Sequence, residues 1–272
     1  MKTIARATVI LLAAVMLIPM ALTVTNSFKN RYEHYGPARF LPRSFTLEGY
    51  AQLFAYPVAR WTANTLLIIA GGTAIGVVVT VAAGMAVARY QFRGRRVVFW
   101  GVILSTIIPM QALIIPSFLV VRAYGLFNTL WALILPGALS LPVLWFMVRY
   151  MEQIPEDLYS MGRIDGLGVA GLLVHVTVPM AAPVIAAFIA QRAVSGWADF
   201  LGPLIMLRRE ELYTLVVGIN EVVVREAETR PGEDMNPSIR FAGAALIMAP
   251  AVALFLATQR YFADGMFAKG GK

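Results

Sequence analysis

Thr62 to Val87 reads TANTLLIIAGGTAIGVVVTVAAGMAV, 26 residues without a charged side chain. As an α-helix this stretch reaches about 39 Å, more than the roughly 30 Å of a bilayer's hydrocarbon core. Five more apolar runs surround it: Ala7 to Val24, Val97 to Val121, Thr129 to Val148, Val178 to Leu207 and Phe241 to Phe262. The pattern predicts an all-α, polytopic membrane protein with about six transmembrane helices in a single domain, residues 1–272. Prolines inside the runs, among them Pro19, Pro109, Pro116, Pro136, Pro183 and Pro250, predict kinked or broken helices whose freed carbonyls find partners in a bundle.

Composition agrees. Of 272 residues, 59% are hydrophobic and 14% charged, whereas a soluble domain carries about a quarter charged residues. Lipid must therefore be the solvent for much of the surface. The net charge is +8, but the basic residues sit in short connectors, where topology and lipid signals act. That distribution speaks against nucleic acid as a partner. The chain has no cysteine and only two histidines, His34 and His175, so thiolate chemistry is excluded and no metal site is expected.

Arg89, Arg93, Arg95 and Arg96 crowd the short connector between the second and third runs. Short arginine-rich loops stay cytoplasmic, which places both termini there too, with Lys2, Arg6, Lys269 and Lys272. The first run follows Lys2 and Arg6 like a secretory signal, but its length and the lack of a clear cleavage site favour an uncleaved span. The polar stretches Lys29–Trp61 and Arg208–Arg240 then face outward as loops.

The stretch 150–178, between the fourth and fifth runs, carries the functional signal. Pro155 starts a helix with Glu156 and Asp157 in its first turn. Leu158, Met161 and Ile164 form an apolar stripe, and Gly166 ends the helix. A second amphipathic piece, Val169 to Val176, precedes Pro179. The result is a small helical hairpin with an apolar face toward the cytoplasm, which invites a partner protein.

Asp165-Gly166 is followed by nine residues and then Val176-Thr177-Val178-Pro179. This spacing resembles the EAA loop of permease subunits of ABC importers, except that Ser160-Met161-Gly162 stands where Glu-Ala-Ala is usual. The ordered set Asn64-Thr65-Leu66, Ala88-Arg89-Tyr90-Gln91-Phe92-Arg93-Gly94, Tyr124-Gly125-Leu126-Phe127-Asn128-Thr129, Trp197-Ala198-Asp199-Phe200 and Gln259-Arg260-Tyr261-Phe262 is similar to the second permease subunit of sugar importers of the maltose type. The resemblance implies a type I importer permease fold in the inner membrane. It implies as partners a second permease subunit, two ATPase subunits, an extracytoplasmic solute-binding protein and a sugar substrate. It also implies docking to the ATPase through Leu158, Ser160, Met161, Gly162, Asp165 and Gly166. The missing glutamate removes a salt bridge that the family makes there.

No nucleotide-binding loop is present: the terminal Gly265 to Lys272 stretch has Gly271 where lysine must stand and no following helix. The chain is thus no enzyme. It binds no cofactor itself, and ATP with its Mg would sit on the separate ATPase. Polar groups inside the runs are candidates for the substrate path, because they are expensive in lipid: Asn64, Gln111, Gln191, Arg192 and Asp199. Arg192 and Asp199 stand seven apart, which puts them on one helix face. Gly72 and Gly76 form a GxxxG suited to helix packing. An ion-coupled secondary transporter would also explain the spans and the Arg192–Asp199 spacing, though not that from Asp165 to Pro179. An ABC permease for amino acids or peptides would share the hairpin.

Overall fold

The computed structural model describes residues 2–105, 107–229 and 236–267. Arg230, Glu233, Asp234, Lys269 and Lys272 lie outside the described residues, as do the side chains of Glu226, Glu228 and residues 260–265. Among the described residues the chain forms only helices and turns. In order these are α1 (Lys2–Ser27), a 3-10 turn (Arg31–His34), α2 (Glu48–Leu53), α3 (Val58–Arg89), α4 (Arg95–Ser105), a 3-10 turn (Met110–Leu113), α5 (Ile114–Ala123), α6 (Trp131–Ala138) and α7 (Leu141–Glu152). There follow α8 (Glu156–Ile164), α9 (Val169–Leu172), a π turn (Leu173–Thr177), α10 (Val178–Met180), α11 (Ala182–Trp197), α12 (Leu201–Met206), a 3-10 turn (Glu210–Leu212), α13 (Leu215–Thr229) and α14 (Pro237–Phe267).

Among the described residues four helical segments are long and apolar enough to cross a membrane: Arg6–Ser27, Val58–Arg89, Trp131–Glu152 and Pro237–Ala257. Val169–Met180 with Ala182–Trp197 makes a fifth candidate, bent by 75°. The third apolar run, 97–121, is divided. Helix α4 stops at Ser105, and Pro109 takes an extended conformation (φ −64°, ψ 136°) before the next turn. Proline has no N–H to continue a helical ladder and forces the preceding residue out of the helical region. The run Val178–Leu207 is likewise split into α10, α11 and α12 rather than one long span.

Two compact units emerge, each discontinuous in sequence. One comprises residues 1–62 and 214–252, the other 63–213 and 253–272. In the first, the side chains along α1 from Val9 to Ile18 are exposed, as a lipid-facing helix allows. The segment after α1 is ordered rather than a solvated loop. Ser238 Oγ donates to Lys29 O at 2.7 Å, His34 Nε2 lies 3.0 Å from the same hydroxyl, and the His34 ring stacks on Phe241 with 5.2 Å between centroids. Asn236 Nδ2 donates to Glu48 Oε1 and Gln52 Oε1 at 3.2 and 3.0 Å. The stretch 208–240, expected as an outward-facing loop, contains α13. Leu215, Ile219 and Val222 are buried along it at helical spacing, which flanking charges disguise in sequence.

In the larger unit, α3 is the helix against which the others close. A Cβ on Gly84 would lie 2.8 Å from Met147 of α7, and one on Gly72 would lie 2.8 Å from Arg192 Nη2 of α11. Gly76 faces the Ala138 carbonyl and the Phe188 ring. The predicted GxxxG therefore serves close packing. Buried Val81, Met85, Met147, Met151, Ile154, Tyr159 and Leu172 form one apolar cluster, and Ile68, Val121, Leu133, Ile134 and Met206 another.

In the smaller unit, Gly49 meets backbone: a Cβ there would lie 2.6 Å from Ser238 O. Gly49→Ala is expected to cost about 1–3 kcal/mol, as overpacking against an unyielding neighbour does. Gly101→Ala, where nothing lies within 4 Å, is expected to be neutral or slightly stabilising. Thermal unfolding midpoints in detergent compare the two, and equal midpoints would contradict the packing.

Candidate functional site

The hairpin between α7 and α11 is built from two faces of α8. Tyr159 and Gly162 are buried. Gly162 lies so close to α9 that a Cβ would come 2.7 Å from Leu172 Cδ2. The Tyr159 hydroxyl lies 3.1 Å from Thr177 Oγ1 in the π turn, and Thr177 Oγ1 also donates to Leu172 O at 3.2 Å. The wide turn accommodates Pro179, which offers no N–H to the preceding turn. On the opposite face Ser160 is exposed, and Met161 and Ile164 are 60% and 85% exposed. Leu158, expected in the same outward stripe, packs partly inward on the core cluster instead. Asp165 caps the helix, and Gly166 follows with φ 82°, a left-handed conformation that disfavours any residue with a Cβ. His175 is exposed, its Nδ1 3.0 Å from Gly171 O.

Arg89, read in sequence only as a topology signal, is the side chain that sequence reasoning missed. It ends α3, and its side chain is 12% exposed. Its Nη2 donates to Met151 O in the last turn of α7 and to Ile154 O in the turn beyond it, its Nη1 to Glu156 Oε2 at 3.2 Å. The guanidinium carbon lies 4.5 Å from the centroid of the Tyr159 ring. Glu156 also pairs with Arg163 one helical face along. Arg95, from the same arginine cluster, donates from Nε to Val87 O at 2.7 Å, closing the C-terminus of α3.

The candidates for a substrate path each make contacts of their own. Asn64 is buried and its Nδ2 donates to Glu211 O and Tyr213 O at 2.8 and 3.0 Å, a clamp on the turn before α13. Gln111 is exposed in a 3-10 turn. Gln191 is exposed, with Nε2 3.5 Å from Ser195 Oγ. Arg192 and Asp199 do not share one helix face, because α11 ends at Trp197. Asp199 instead sits before α12, where Oδ1 lies 3.4 Å from the Gly202 N–H. No ion pair joins the two within 4 Å among the described residues. The Arg192 guanidinium lies against Gly72 and Gly137, and its Nε is buried without a hydrogen-bond partner. Trp61 and Trp197 are buried in packing. The motif Tyr124–Thr129 is explained by its backbone: Gly125 and Asn128 have φ 70° and 59°, and Asn128 Oδ1 accepts from Arg208 N and Arg209 N at 2.9 and 3.1 Å.

A second candidate surface is the folded segment after α1. Lys29, Asn30, Tyr32, Glu33, Arg39 and Arg43 line a cavity of about 240 Å³. The Glu33 carboxylate accepts from Arg43 N at 2.7 Å, from Ser44 N at 3.2 Å and from Asn30 Nδ2 at 3.1 Å. The Arg43 N–H above all holds Glu33 below its ordinary carboxylate value. Burial pushes the His34 imidazole below its ordinary value, and the Lys29 charge adds to this against the pull of Glu33.

Membrane-length helices, with a connecting hairpin whose apolar stripe is exposed, define a polytopic membrane protein. The chain belongs to the family of binding-protein-dependent transport system inner membrane components, whose pattern matches residues 58–268. It is 29% identical over 235 residues to the arabinooligosaccharides transport system permease protein AraQ of Halalkalibacterium halodurans, covering 86% of this chain and 82% of that one. It is 24% identical over 266 residues to the maltodextrin transport system permease protein MdxG of Bacillus subtilis, covering 96% and 93%. Its fold is similar to a chain of a bacterial ABC transporter that imports the acidic polysaccharide alginate, with a TM-score of 0.83, 20% identity and 96% of each chain covered.

Gly162→Leu is expected to prise α8 from α9, at about 1–3 kcal/mol, and to raise hydrogen exchange across residues 156–176. Ser160→Ala, on the exposed face, leaves that exchange unchanged; equal effects of the two would refute the two-faced hairpin. The segment around His34 is expected to loosen on acidification. Its folded-state value lies below the unfolded value of about 6.5, so the unfolded chain takes up protons first as pH falls and gains relative stability. Exchange protection of residues 29–46 should therefore drop between about pH 7 and 5, and His34→Gln should flatten that step. A rise in protection over the same range would contradict the assignment.

Proposed function

We propose that the chain is the membrane-spanning subunit of an ATP-driven importer for sugars or sugar derivatives, with the hairpin 150–178 as its coupling element. The names of the relatives, which carry arabinooligosaccharides and maltodextrin, support the substrate class. The subunit works with a second permease, two ATPase subunits that hold ATP and Mg, and an extracytoplasmic solute-binding protein. Both termini and the hairpin face the cytoplasm, and the segment after α1 faces the binding protein.

One observation carries this reading: α8 is locked inward through Tyr159 and Gly162 while Met161 and Ile164 stand exposed. An apolar stripe on a rigid, lipid-free connector is suited to a groove on a partner. Closure of the ATPase pair biases the permease pair between inward- and outward-open states only through a contact that differs between those states. A stiff helix transmits that bias, and a loose loop absorbs it. Ser160, Asp165 and Gly166 border the exposed stripe and set how it docks.

The test is ATP hydrolysis by the reconstituted complex, with and without its binding protein. Gly166→Pro fixes φ near −65° where the chain needs 82°, and is expected to lower the stimulated rate about tenfold. Asp165→Arg adds a charge that a helix C-terminus tolerates, so the hairpin stays folded and a loss of stimulation reports docking. Ion-driven uptake by the chain with no ATPase present would overturn the importer reading in favour of a secondary transporter.

A further inference from the structure

Arg89 joins three elements that the coupling reading requires to move together. It is the last residue of α3, the longest helix among the described residues and a candidate membrane span. Its guanidinium reaches the carbonyls that close α7 (Met151 and Ile154), the first turn of α8 (Glu156) and the face of the Tyr159 ring. Tyr159 in turn reaches Thr177, whose Oγ1 lies 3.4 Å from Met85 Sδ one turn back along α3. The path Arg89–Tyr159–Thr177–Met85 is thus a closed loop through α3, α8 and the π turn that leads to α11.

A plain C-terminal cap on α7 would explain the two carbonyl contacts alone. It would not explain the carboxylate of α8 or the stacking on Tyr159. The planar fork of arginine serves several acceptors at fixed angles, which a lysine ammonium does not. We infer that Arg89 is a positioning residue that ties the coupling helix α8 to α3, so that displacement of the hairpin is carried into the membrane helix rather than absorbed at the α7–α8 turn. This rests on the proposed coupling role of the hairpin.

The chain has no cysteine, so spin labels can be placed cleanly at His175 in the hairpin and Val79 on α3, both exposed. The complete complex in liposomes is compared without nucleotide and trapped with ATP and vanadate. With Arg89 in place the pair is expected to keep one distance in both states, since hairpin and helix move as a body. In Arg89→Leu the complex still hydrolyses ATP, but stimulation by the binding protein falls about tenfold and the label distance differs between the states. Arg89→Lys keeps the charge without the fork and falls between the two; it carries the test if Arg89→Leu does not assemble. Assembled variants with wild-type stimulation overturn the inference. So does a loss of stimulation that merely parallels lost assembly with the label distance unchanged, which marks Arg89 as a cap only. A wild-type complex whose hydrolysis ignores the binding protein would instead sink the coupling reading on which this rests.

Discussion

The packing of the larger unit depends on side chains that α3 lacks. Gly72, Gly76 and Gly84 let α11, α6 and α7 approach its backbone, and at each a methyl group would collide with Arg192, Ala138, Phe188 or Met147. In lipid there is no hydrophobic gain from helix association, so close van der Waals contact along small residues is what holds helices together. The consequence for Arg192 is direct. Its guanidinium occupies the space that Gly72 and Gly137 leave open, which removes a cation from lipid without an ion pair inside the described chain.

The same membrane constraint governs the breaks. A spanning backbone must satisfy its own hydrogen bonds, and an interruption survives only where other groups complete it. Here the completions are visible. Arg95 closes the end of α3, Arg89 the end of α7, and Asn128 both accepts from the chain after α12 and adopts the left-handed turn itself. Two arginines of the short connector thereby serve as helix caps, besides the topology role expected of them. A cation at a helix C-terminus is favoured by the exposed carbonyls in any case, so one residue type answers both demands.

This explains which parts were legible in the sequence. The apolar runs and the hairpin limits follow from local rules: Pro155 opens α8, Gly166 closes it, and Met161 and Ile164 point outward at helical spacing. Part of what stayed hidden involves partners distant in the chain. Asn64, expected as a pathway group, has backbone acceptors that lie 147 and 149 residues away. Arg89 looked like a charge signal because Met151 and Ile154 lie 62 and 65 residues on. Helix α13 was hidden for another reason: its buried Leu215, Val217, Ile219 and Val222 lie amid charged flanks that made the whole stretch read as a loop. Arg192 and Asp199 failed by assuming that a long apolar run is one helix, when α11 stops at Trp197.

The hairpin also offers a physical account of Ser160. On α8, position 160 lies one turn after Glu156 and three residues before Arg163, so all three share a flank of the helix. Glu156 is already committed to Arg89 and Arg163. A glutamate at 160 would stand as a like charge at i+4 from Glu156 and compete with it for Arg163. Serine leaves Glu156 as the carboxylate of that flank and frees it to hold Arg89. On the coupling reading that flank then carries a single carboxylate, turned to Arg89 and Arg163. The docking contact would rest more on the apolar pair Met161 and Ile164, and the internal tie to α3 more on Glu156. A helix that grips its partner by shape while anchoring itself by charge transmits force through its stiffer end, since the charge-assisted contacts to Arg89 are partly withdrawn from solvent and the surface pair is not.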